Sequence, residues 1–495
     1  MRAFSFLGLG LGLLLAVASS AEASNGAALA TLGGKGPVSL PFKGDGLTAI
    51  RMPAGVGWAP ESRLDVDLFA FFSRSTLSNN LNDFNDRGFT PAASAGLVVA
   101  IDRPDFDASY EEFKRFTGAK KWTLHIAEYA EIAGGLGGDR PRTRSTTFPE
   151  GIETSTGVTM VTTAISLAYT PSDWFSIALG GRFMVALLDI RSLSGGGDTN
   201  LNGSPTINGV PFPGNPTYAQ FLEIFSSGND SDPTTLLESQ LQSFQLGAVL
   251  SIAFRPMDNL AFGFSYSPRS FERPFEGQGT IDASRTFSAA LDGLPQIIQD
   301  LFIGTLPDEG QNGFISDYDI EVKGLRVPRQ IRANVAYWPV EKLVLSAEVA
   351  WIEWHRAFKR TRVILTNGDN TDVNFVIGSN GVDTGLKLRW RNQFVFSMYT
   401  AYMVTDQLTV RFGVNYGKSP INPDTQGNGP SAGFIDTHIN AGLGYAWDRY
   451  ELNFLVEYGV RSSPSTDTEP TELTAKNSRY SSEQLFFHLG FAYRF

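Results

Sequence analysis

The sequence predicts an all-β protein, a transmembrane antiparallel β-barrel of about 14 strands with an N-terminal hatch in its lumen. Three observations predict this fold class. Apolar and polar residues alternate with period 2 in segment after segment to the end of the chain. Short and long connections alternate between these segments. After the first residues, no stretch is apolar for long enough to form a membrane-spanning helix.

Residues 1–23 are interpreted as a cleavable signal peptide. Arg2 stands near the start, an apolar run extends from Phe4 to Val17, and Ala21-Glu22-Ala23 offers a cleavage site. The run of about 14 residues is shorter than the roughly 20 that a membrane-spanning helix needs. We therefore expect an exported protein without transmembrane helices.

The composition fits a chain that faces lipid on one side and polar groups on the other. Of the 495 residues, 51 are Gly, 37 are Phe and 15 are Tyr, while 42% are hydrophobic and only 18% charged. The absence of Cys argues against a disulfide-stapled secreted scaffold. A net charge of −11 argues against nucleic acid as a partner, because phosphate binding needs a basic surface.

The alternation is clearest in the last segment. There Leu485, Phe487, Leu489, Phe491, Tyr493 and Phe495 alternate with smaller or polar residues. Comparable patterns predict 14 strands near 63–72, 95–102, 121–131, 155–170, 173–190, 244–255, 259–270, 314–338, 341–357, 385–404, 407–418, 434–447, 450–461 and 484–495.

A soluble β-sandwich would alternate too, but three features favour a membrane barrel. Most of the segments run about 10 to 16 residues, whereas soluble strands average about five or six. Aromatic residues stand near strand ends, at Tyr169, Trp174, Trp338 and Trp447. The terminal Phe495 resembles the C-terminal signature read by the outer-membrane assembly machinery. These features predict the outer membrane of a Gram-negative bacterium.

The connections predict which end of the barrel is which. Short turns are predicted at 170–173, 255–259, 338–341, 405–407 and 448–449. Long loops are predicted at 192–243, 271–313, 360–384, 418–433 and 462–482. Short periplasmic turns and long external loops are typical of these barrels.

Residues 24–57 belong to no predicted strand and are rich in glycine. Glycines permit tight bends and close backbone approach, so one interpretation is a compact hatch, or plug, inside the barrel of residues 58–495. The alternative is a flexible leader with no fixed place.

Several segments resemble the FadL-type family of outer-membrane transporters for long-chain fatty acids and aromatic hydrocarbons. Gly44-Asp45-Gly46 and Met52-Pro53-Ala54-Gly55 resemble the Gly-Asp segment and the Asn-Pro-Ala motif of the family's hatch, with Met52 in place of the usual Asn. Val327-Pro328-Arg329-Gln330-Ile331, leading to Glu353-Trp354, resembles a strand pair of the family. Arg411-Phe412-Gly413-Val414-Asn415-Tyr416 is similar to another family segment.

The resemblance implies a monomeric 14-stranded barrel, blocked by a hatch, with a greasy external groove formed by the third and fourth long loops. These are residues 192–243 and 271–313, and both contain apolar patches of the kind that mark binding sites. The predicted groove residues are Tyr218, Phe221, Phe225, Leu294, Ile298 and Phe302. The alternative is that two apolar helices pack only on each other.

Charged residues suggest a site but no catalysis. Arg182, Arg332 and Arg411 are candidates for pairing with a fatty-acid carboxylate, and the alternative is a salt-bridge network with Glu348 and Glu457. The four histidines, His125, His355, His438 and His488, fit no metal or Ser-His pattern. Asp230, Asp232, Asp369 and Asp372 lack the spacing of a calcium loop and are read as solvated loop charge.

We therefore expect passive, hatch-gated uptake of long-chain fatty acids or similar hydrophobes, with no cofactor, no bound metal and no enzyme activity. Outer-membrane lipid and lipopolysaccharide would surround the barrel. The alternatives are a general porin, a structural or adhesive barrel, and an outer-membrane hydrolase. A TonB-dependent receptor is disfavoured, because the N-terminal segment is too short for a folded plug domain.

Overall fold

The computed structural model describes most of the chain. The described residues are 35, 45–59, 61–79, 83–101, 121–136, 142–143, 150–153, 155–195, 206–207, 210–211, 214, 234–271, 273–292, 295–304, 306–358, 361–377, 379–386, 389–425, 435–466 and 477–495. No helix within these ranges is long and apolar enough to cross a bilayer.

Fourteen antiparallel strands form the wall of a closed barrel. In chain order they are β1 Arg63–Ser78, β2 Asp83–Ile101, β3 Lys121–Leu136, β4 Ser155–Ser172, β5 Phe175–Gly195, β6 Thr234–Met257, β7 Leu260–Ser267, β10 Gln330–Val340, β11 Leu343–Ile352, β14 Gln393–Met403, β15 Leu408–Tyr416, β16 Thr437–Trp447, β17 Tyr450–Ser462 and β18 Ser478–Arg494. Each pairs with the next, and β1 pairs with β18 along its whole length, from Arg63 opposite Arg494 to Ser78 opposite Arg479. This pairing closes the wall, so the 14-stranded prediction is confirmed.

Four further strands extend one side of the wall beyond the 14 barrel strands. They are β8 Phe275–Asp282, β9 Ile315–Lys323, β12 Thr361–Thr366 and β13 Val382–Leu386. β8 pairs with the upper part of β6, β9 pairs with β8 and β12, and β12 pairs with β13. We call these four strands the extension. β8, β12 and part of β13 replace residues that were predicted to be loop, whereas β9 lies within the predicted strand 314–338.

Four α-helices accompany the extension: α1 Ser284–Asp292, α2 Gln296–Ile303, α3 Trp354–Ala357 and α4 Thr371–Ile377. Short 3₁₀ helices occur at Thr48–Ile50, Pro53–Trp58 and Pro423–Thr425, and two-residue strands at Arg142–Thr143, Ile152–Glu153, Thr206–Ile207, Val210–Pro211 and Ser465–Thr466. Pro295 precedes α2 and separates it from α1. The apolar patch predicted in loop 271–313 is therefore divided between two helices, with Pro295 directly before the second.

All 14 predicted segments overlap a barrel strand, but several bounds were wrong. β1 and β2 continue well beyond 63–72 and 95–102, so their connection spans only residues 79–82 and is not a long loop. The segment predicted as 314–338 divides into β9 and β10, with Gly324 at a φ of 91° between them. Loop 192–243 is shorter than predicted, because β5 and β6 extend into it at both ends.

The two ends of the barrel differ as predicted. At one end, which we call the terminal end because Phe495 lies there, the described connections are turns of two to four residues, such as 258–259 and 404–407. The extension and the long loops lie at the opposite, loop end. Outward side chains are apolar: Leu179 is 66% exposed and Phe183 55%. Trp122 stacks on Tyr169 near the terminal end, with ring centroids 4.5 Å apart. Such a belt fits contact with lipid.

Candidate functional site

Residues 45–59, which we call the luminal segment, lie inside the barrel. The segment consists mainly of two 3₁₀ helices, Thr48–Ile50 and Pro53–Trp58, and every one of its residues is buried. Leu47, Met52, Ala54 and Val56 have no measurable exposure. The described part of the predicted hatch therefore occupies the middle of the lumen.

Local chemistry explains how the segment begins. Asp45 Oδ1 accepts hydrogen bonds from the backbone N–H groups of Leu47, at 3.0 Å, and Thr48, at 2.8 Å. A carboxylate in this position satisfies N–H groups that a helix start leaves without partners. Pro53, at the first position of the second helix, has no N–H to satisfy.

The segment is bound to the wall on several sides. Ala54 N–H donates to Ser251 Oγ of β6 at 2.8 Å, and Ser176 Oγ of β5 donates to the Ala54 carbonyl at 2.8 Å. His125 Nε2 of β3 lies 2.9 Å from the Gly46 carbonyl oxygen. Apolar packing adds to these bonds. Ala54, Val56 and Trp58 form one buried cluster with Val98, Ala168, Ala178 and Ala253 of four wall strands.

A charge-balanced network ties the segment to the terminal half of the wall. Lys35 lies 3.1 Å from Asp65 and 3.4 Å from both Asp45 and Glu451. Arg63 contacts Asp65 at 2.6 Å and Glu451 at 3.3 Å. Burial alone would raise the pKa of Asp45, but the Lys35 and Arg63 cations hold that pKa below its usual value. Asp45 therefore stays ionised as an anchor of the segment.

Arg411, one of the predicted carboxylate-binding arginines, belongs to this balanced network. Its guanidinium lies 3.7 Å from Glu451 and donates to Asn453 Oδ1 at 2.8 Å. The cations Lys35, Arg63 and Arg411 thus face three carboxylates. This is a bracing network of the kind that the sequence offered as the alternative, but its carboxylates are Asp45, Asp65 and Glu451 and not the predicted Glu348 and Glu457.

A second cluster contains the other two predicted arginines, and in it two guanidiniums pair with one carboxylate. Glu348 of β11 forms ion pairs with Arg51 of the luminal segment and with Arg332 of β10, the latter at 3.0 Å. Arg182 Nη2 donates to the Ile50 carbonyl at 3.0 Å. Nε and Nη1 of Arg51 have no hydrogen-bond partner among the described residues. Two guanidiniums therefore share one carboxylate, and one of them has donors to spare.

Arg51 was missed by the sequence analysis, although the sequence contains a signal for it. It is the only charged residue between Gly46 and Trp58. A lone charge in a segment that is otherwise neutral indicates a specific partner, because an unpaired buried charge is costly.

The lumen becomes apolar on the loop side of this cluster. Met184 follows Arg182 on the same inward face of β5, and both side chains approach Gly247 of β6. Met184 begins a buried cluster with Met160, Ala186, Leu188, Leu241, Phe275, Tyr318, Ile320, Val322, Val327 and Leu365. We call these residues the apolar lining. They come from β4, β5, β6 and the extension, except for Val327, which lies between β9 and β10.

A polar cleft of about 760 Å³ lies on another surface. It is lined by Asp189, Arg191, Glu238, Gln278, Thr280, Asp317, Asp319 and Asp369, among others. Most of these residues belong to the outward face of β5, β6 and the extension, and Asp369 lies between β12 and α4. Because its walls are polar and acidic, the cleft does not suit a hydrophobic ligand.

The predicted external groove is only partly within the described residues. Tyr218, Phe221, Phe225 and Leu294 lie outside them, as does Gly44 of the predicted hatch. Ile298 lies in α2. Phe302 is 4% exposed and packs in a core with Phe287, Leu291, Leu306, Phe314, Val373 and Val376. Phe302 therefore packs between α1, α2 and α4, whereas the alternative interpretation, packing against an apolar helix of loop 192–243, concerns residues that lie outside the described ranges.

Two of the remaining candidate residues, Asp369 and Asp372, accept hydrogen bonds from the protein backbone. Asp372 is fully buried and accepts backbone N–H bonds from Asp308 and Gly310 at 2.8 and 2.9 Å, while Asp369 accepts one from Asp317 at 2.9 Å. The sequence suggested that Asp372 is a solvated loop charge, but Asp372 is buried, so that prediction was wrong. Asp230 and Asp232 lie outside the described residues. Across the described ranges, no three His, Cys, Asp or Glu residues are arranged to hold a metal ion.

Comparison with known proteins identifies relatives of this chain. A family model described as outer membrane protein transport protein (OMPP1/FadL/TodX) matches residues 141–495. No curated protein sequence matches the chain.

Solved structures share the fold at low sequence identity. A FadL homologue of Pseudomonas aeruginosa has a TM-score of 0.65 at 15% identity, covering 97% of this chain and 99% of that one. The toluene transporter TodX of P. putida has a TM-score of 0.64 at 15% identity, covering 94% and 99%. The Ralstonia pickettii toluene transporter TbuX has a TM-score of 0.59 at 16% identity, also covering 94% and 99%.

Proposed function

Because this chain belongs to the OMPP1/FadL/TodX family of outer membrane transport proteins, we propose that it takes up long-chain fatty acids or similar hydrophobic compounds, gated by residues 24–57. The family consists of outer-membrane channels for hydrophobic compounds and not of enzymes, so the barrel itself is an outer-membrane channel. The proposal concerns the substrate and the gate.

One observation carries the proposal: the apolar lining lies directly beside a cluster in which Arg51 and Arg332 share the single carboxylate of Glu348. A fatty acid has both parts, an alkyl chain that gains free energy from apolar burial and a carboxylate that pairs with arginine. With its chain along Met184 and Leu188, its carboxylate would reach Arg182 and Arg332. The free N–H groups of Arg51 offer further donors.

The same cluster suggests how the gate responds to its ligand. Glu348 holds the luminal segment through Arg51 and also pairs with Arg332. A ligand carboxylate that pairs with either arginine competes with Glu348 and weakens the Arg51 ion pair. A ligand that binds the loosened state better shifts the segment towards that state. Transport is then passive, with no cofactor.

An uncharged aromatic hydrocarbon is the second candidate substrate. It is supported by the apolar lining, which needs no carboxylate, and by the toluene transporters TodX and TbuX among the structural neighbours. A general water-filled porin fits the described lumen less well, because residues 45–59 occupy it.

The test compares uptake of labelled oleate and labelled toluene in cells that lack other carriers for them. Arg332→Gln removes one guanidinium, so that the remaining Arg51–Glu348 pair has no net charge. Arg362→Gln, at an exposed position of β12, serves as the control. We expect Arg332→Gln to reduce oleate uptake about tenfold or more and to leave toluene uptake unchanged. Equal oleate uptake by both variants would contradict the carboxylate site. Large, steady conductance without uptake of either compound would favour a porin.

A further inference from the structure

Three arginine side chains converge on one carboxylate where β11 ends. The carboxylate of Glu353 is only 5% exposed, and its Oε1 accepts a hydrogen bond from Arg329 Nη2 at 2.7 Å. Arg269 Nε lies 3.6 Å from Oε2, and Arg356 Nε lies 3.6 Å from Oε1. Three cations and one anion give this cluster, which we call the arginine rim, two excess positive charges.

The arginine rim faces away from the lumen. On β11 the outward residues are odd-numbered, with Leu345 and Val349 each 42% exposed, and Trp351 is the last of this series before Glu353, which is buried at the start of α3. The Arg329 guanidinium lies over the outward ring of Trp351, 5.2 Å from its centroid. The side chains of Arg269, Arg329 and Arg356 are 33%, 34% and 62% exposed. Solvent or lipid headgroups can therefore reach them.

The height of the rim on the wall identifies what surrounds it. Outward residues of β11 are apolar from Leu343 to Trp351, and a tilted strand of about nine to eleven residues crosses the hydrocarbon layer. The rim therefore begins where the hydrocarbon ends, on the side of the long loops. In barrels of this class, long loops are extracellular, so the rim lies at the headgroups of the outer leaflet.

At the opposite side of the membrane, the turns of the barrel carry an excess of negative charge. The five two- to four-residue turns at the terminal end contain more acidic than basic residues: Asp173, Asp258, Glu341, Asp406 and Asp448 against Lys342 and Arg449. Excess positive charge at the outer headgroup level complements the phosphates that lipid A carries there. Arginine is suited to phosphate, because its planar guanidinium can donate two parallel hydrogen bonds.

We propose that the arginine rim binds a phosphate group of lipid A, the phosphorylated anchor of lipopolysaccharide, in the outer leaflet. Arg269 and Arg356 supply the excess charge, while the Arg329–Glu353 pair holds them in place. This site is separate from the transport route, because it lies on the outer surface of the wall, and it does not depend on which substrate the channel carries.

The test uses the purified full-length barrel in detergent micelles and measures lipid binding by native mass spectrometry. Three probes are compared: lipid A with both phosphates, the same lipid with its phosphates removed, and inorganic phosphate. The double variant Arg269→Gln/Arg356→Gln leaves the Arg329–Glu353 pair neutral. Arg356→Gln alone removes the most exposed arginine, and Arg362→Gln, from a one-to-one pair with Asp383, is the control.

We expect the double variant to bind phosphorylated lipid A about 30-fold more weakly and Arg356→Gln about fivefold more weakly, as roughly 1 kcal/mol per basic residue at a membrane surface predicts. The control should match the wild type. Three results would overturn the proposal: equal affinity of the double variant and the wild type, equal binding of the dephosphorylated lipid, or inorganic phosphate binding as tightly as lipid A. Melting temperature verifies that each variant is folded, and the single variant preserves the test if the double variant is not.

Discussion

Gly46 in the luminal segment and Gly96 on β2 are in direct backbone contact, and a Cβ atom added to either one would overlap the other's backbone. The contact is close because neither residue has a side chain, and it brings Gly46 within reach of Asp65, whose Oδ2 accepts the Gly46 N–H at 2.8 Å. The luminal segment and the wall thus fit so closely here that there is no room for a single added methyl group.

This contact leads to a prediction about Gly96→Ala. The added methyl group would push the luminal segment away from β2, at a cost of about 1 to 3 kcal/mol for overpacking. The barrel strands themselves should persist. We expect more frequent openings in planar-bilayer conductance recordings. Gly181→Ala is the control, because no atom lies within 4 Å of a Cβ built there. Identical recordings for both variants would contradict a tight seal at Gly96.

The ion pair between Arg51 and Glu348 predicts an asymmetry between two variants. Glu348→Gln leaves both Arg51 and Arg332 without their carboxylate, whereas Arg51→Gln leaves a neutral Arg332–Glu348 pair. Removing one member of a buried pair costs about 3 to 5 kcal/mol. We expect Glu348→Gln to expose the luminal segment to protease much more than Arg51→Gln does. Equal cleavage rates would show that the charges do not hold the segment.

A single hydroxyl group provides a further test of docking. Ser251→Ala removes the acceptor of the Ala54 N–H and leaves a buried donor unsatisfied, which costs about 1 to 3 kcal/mol. Hydrogen exchange of the Ala54 amide should accelerate accordingly. Ser94→Ala is matched to it, since Ser94 is also buried in the wall but its hydroxyl has no partner among the described residues. If the Ala54 amide exchanges at the same rate in both variants, its hydrogen bond to Ser251 contributes little to docking of the segment.

Phe302→Ala distinguishes packing from ligand binding at the loop end. Phe302 belongs to the small core between α1, α2 and α4, and truncation of a buried Phe typically costs about 3 to 5 kcal/mol. We expect faster hydrogen exchange in these helices and unchanged exchange in the barrel strands. Normal helix exchange combined with reduced hydrophobe uptake would instead place Phe302 in the external groove.

Local patterns in the sequence predict the barrel well. The alternation from Leu485 to Phe495 identifies β18, because a strand with two different faces must repeat every second residue. Short turns such as Asp448-Arg449 identify neighbouring strands for the same local reason. The upper part of β1 has polar residues on both faces, at Ser73, Arg74 and Ser75, so its alternation is weak. Pairing with β2 and β18 keeps that part in strand form.

Long-range relationships explain what the sequence analysis missed. Arg51 and Glu348 are 297 residues apart, and no spacing rule joins them. The division between β9 and β10 depends on β9 pairing with β8 and β12 while β10 pairs with β7 and β11. A period-2 pattern cannot distinguish one long strand from two successive strands with different partners.

The central claim, that the luminal segment must move for transport, is tested most directly by locking it to the wall. The chain has no cysteine, and a Cβ built on Gly57 lies 3.1 Å from the Cβ of Ser176, slightly closer than the roughly 3.5 to 4.5 Å of a disulfide, and also contacts the Thr170 hydroxyl, which must rotate away. Gly57→Cys/Ser176→Cys should therefore form a bond between segment and wall. We predict that the oxidised double variant stops hydrophobe uptake and that reduction of the same variant restores it, so the comparison needs no single-substitution control. Undiminished uptake by the fully oxidised variant would contradict gating by this segment.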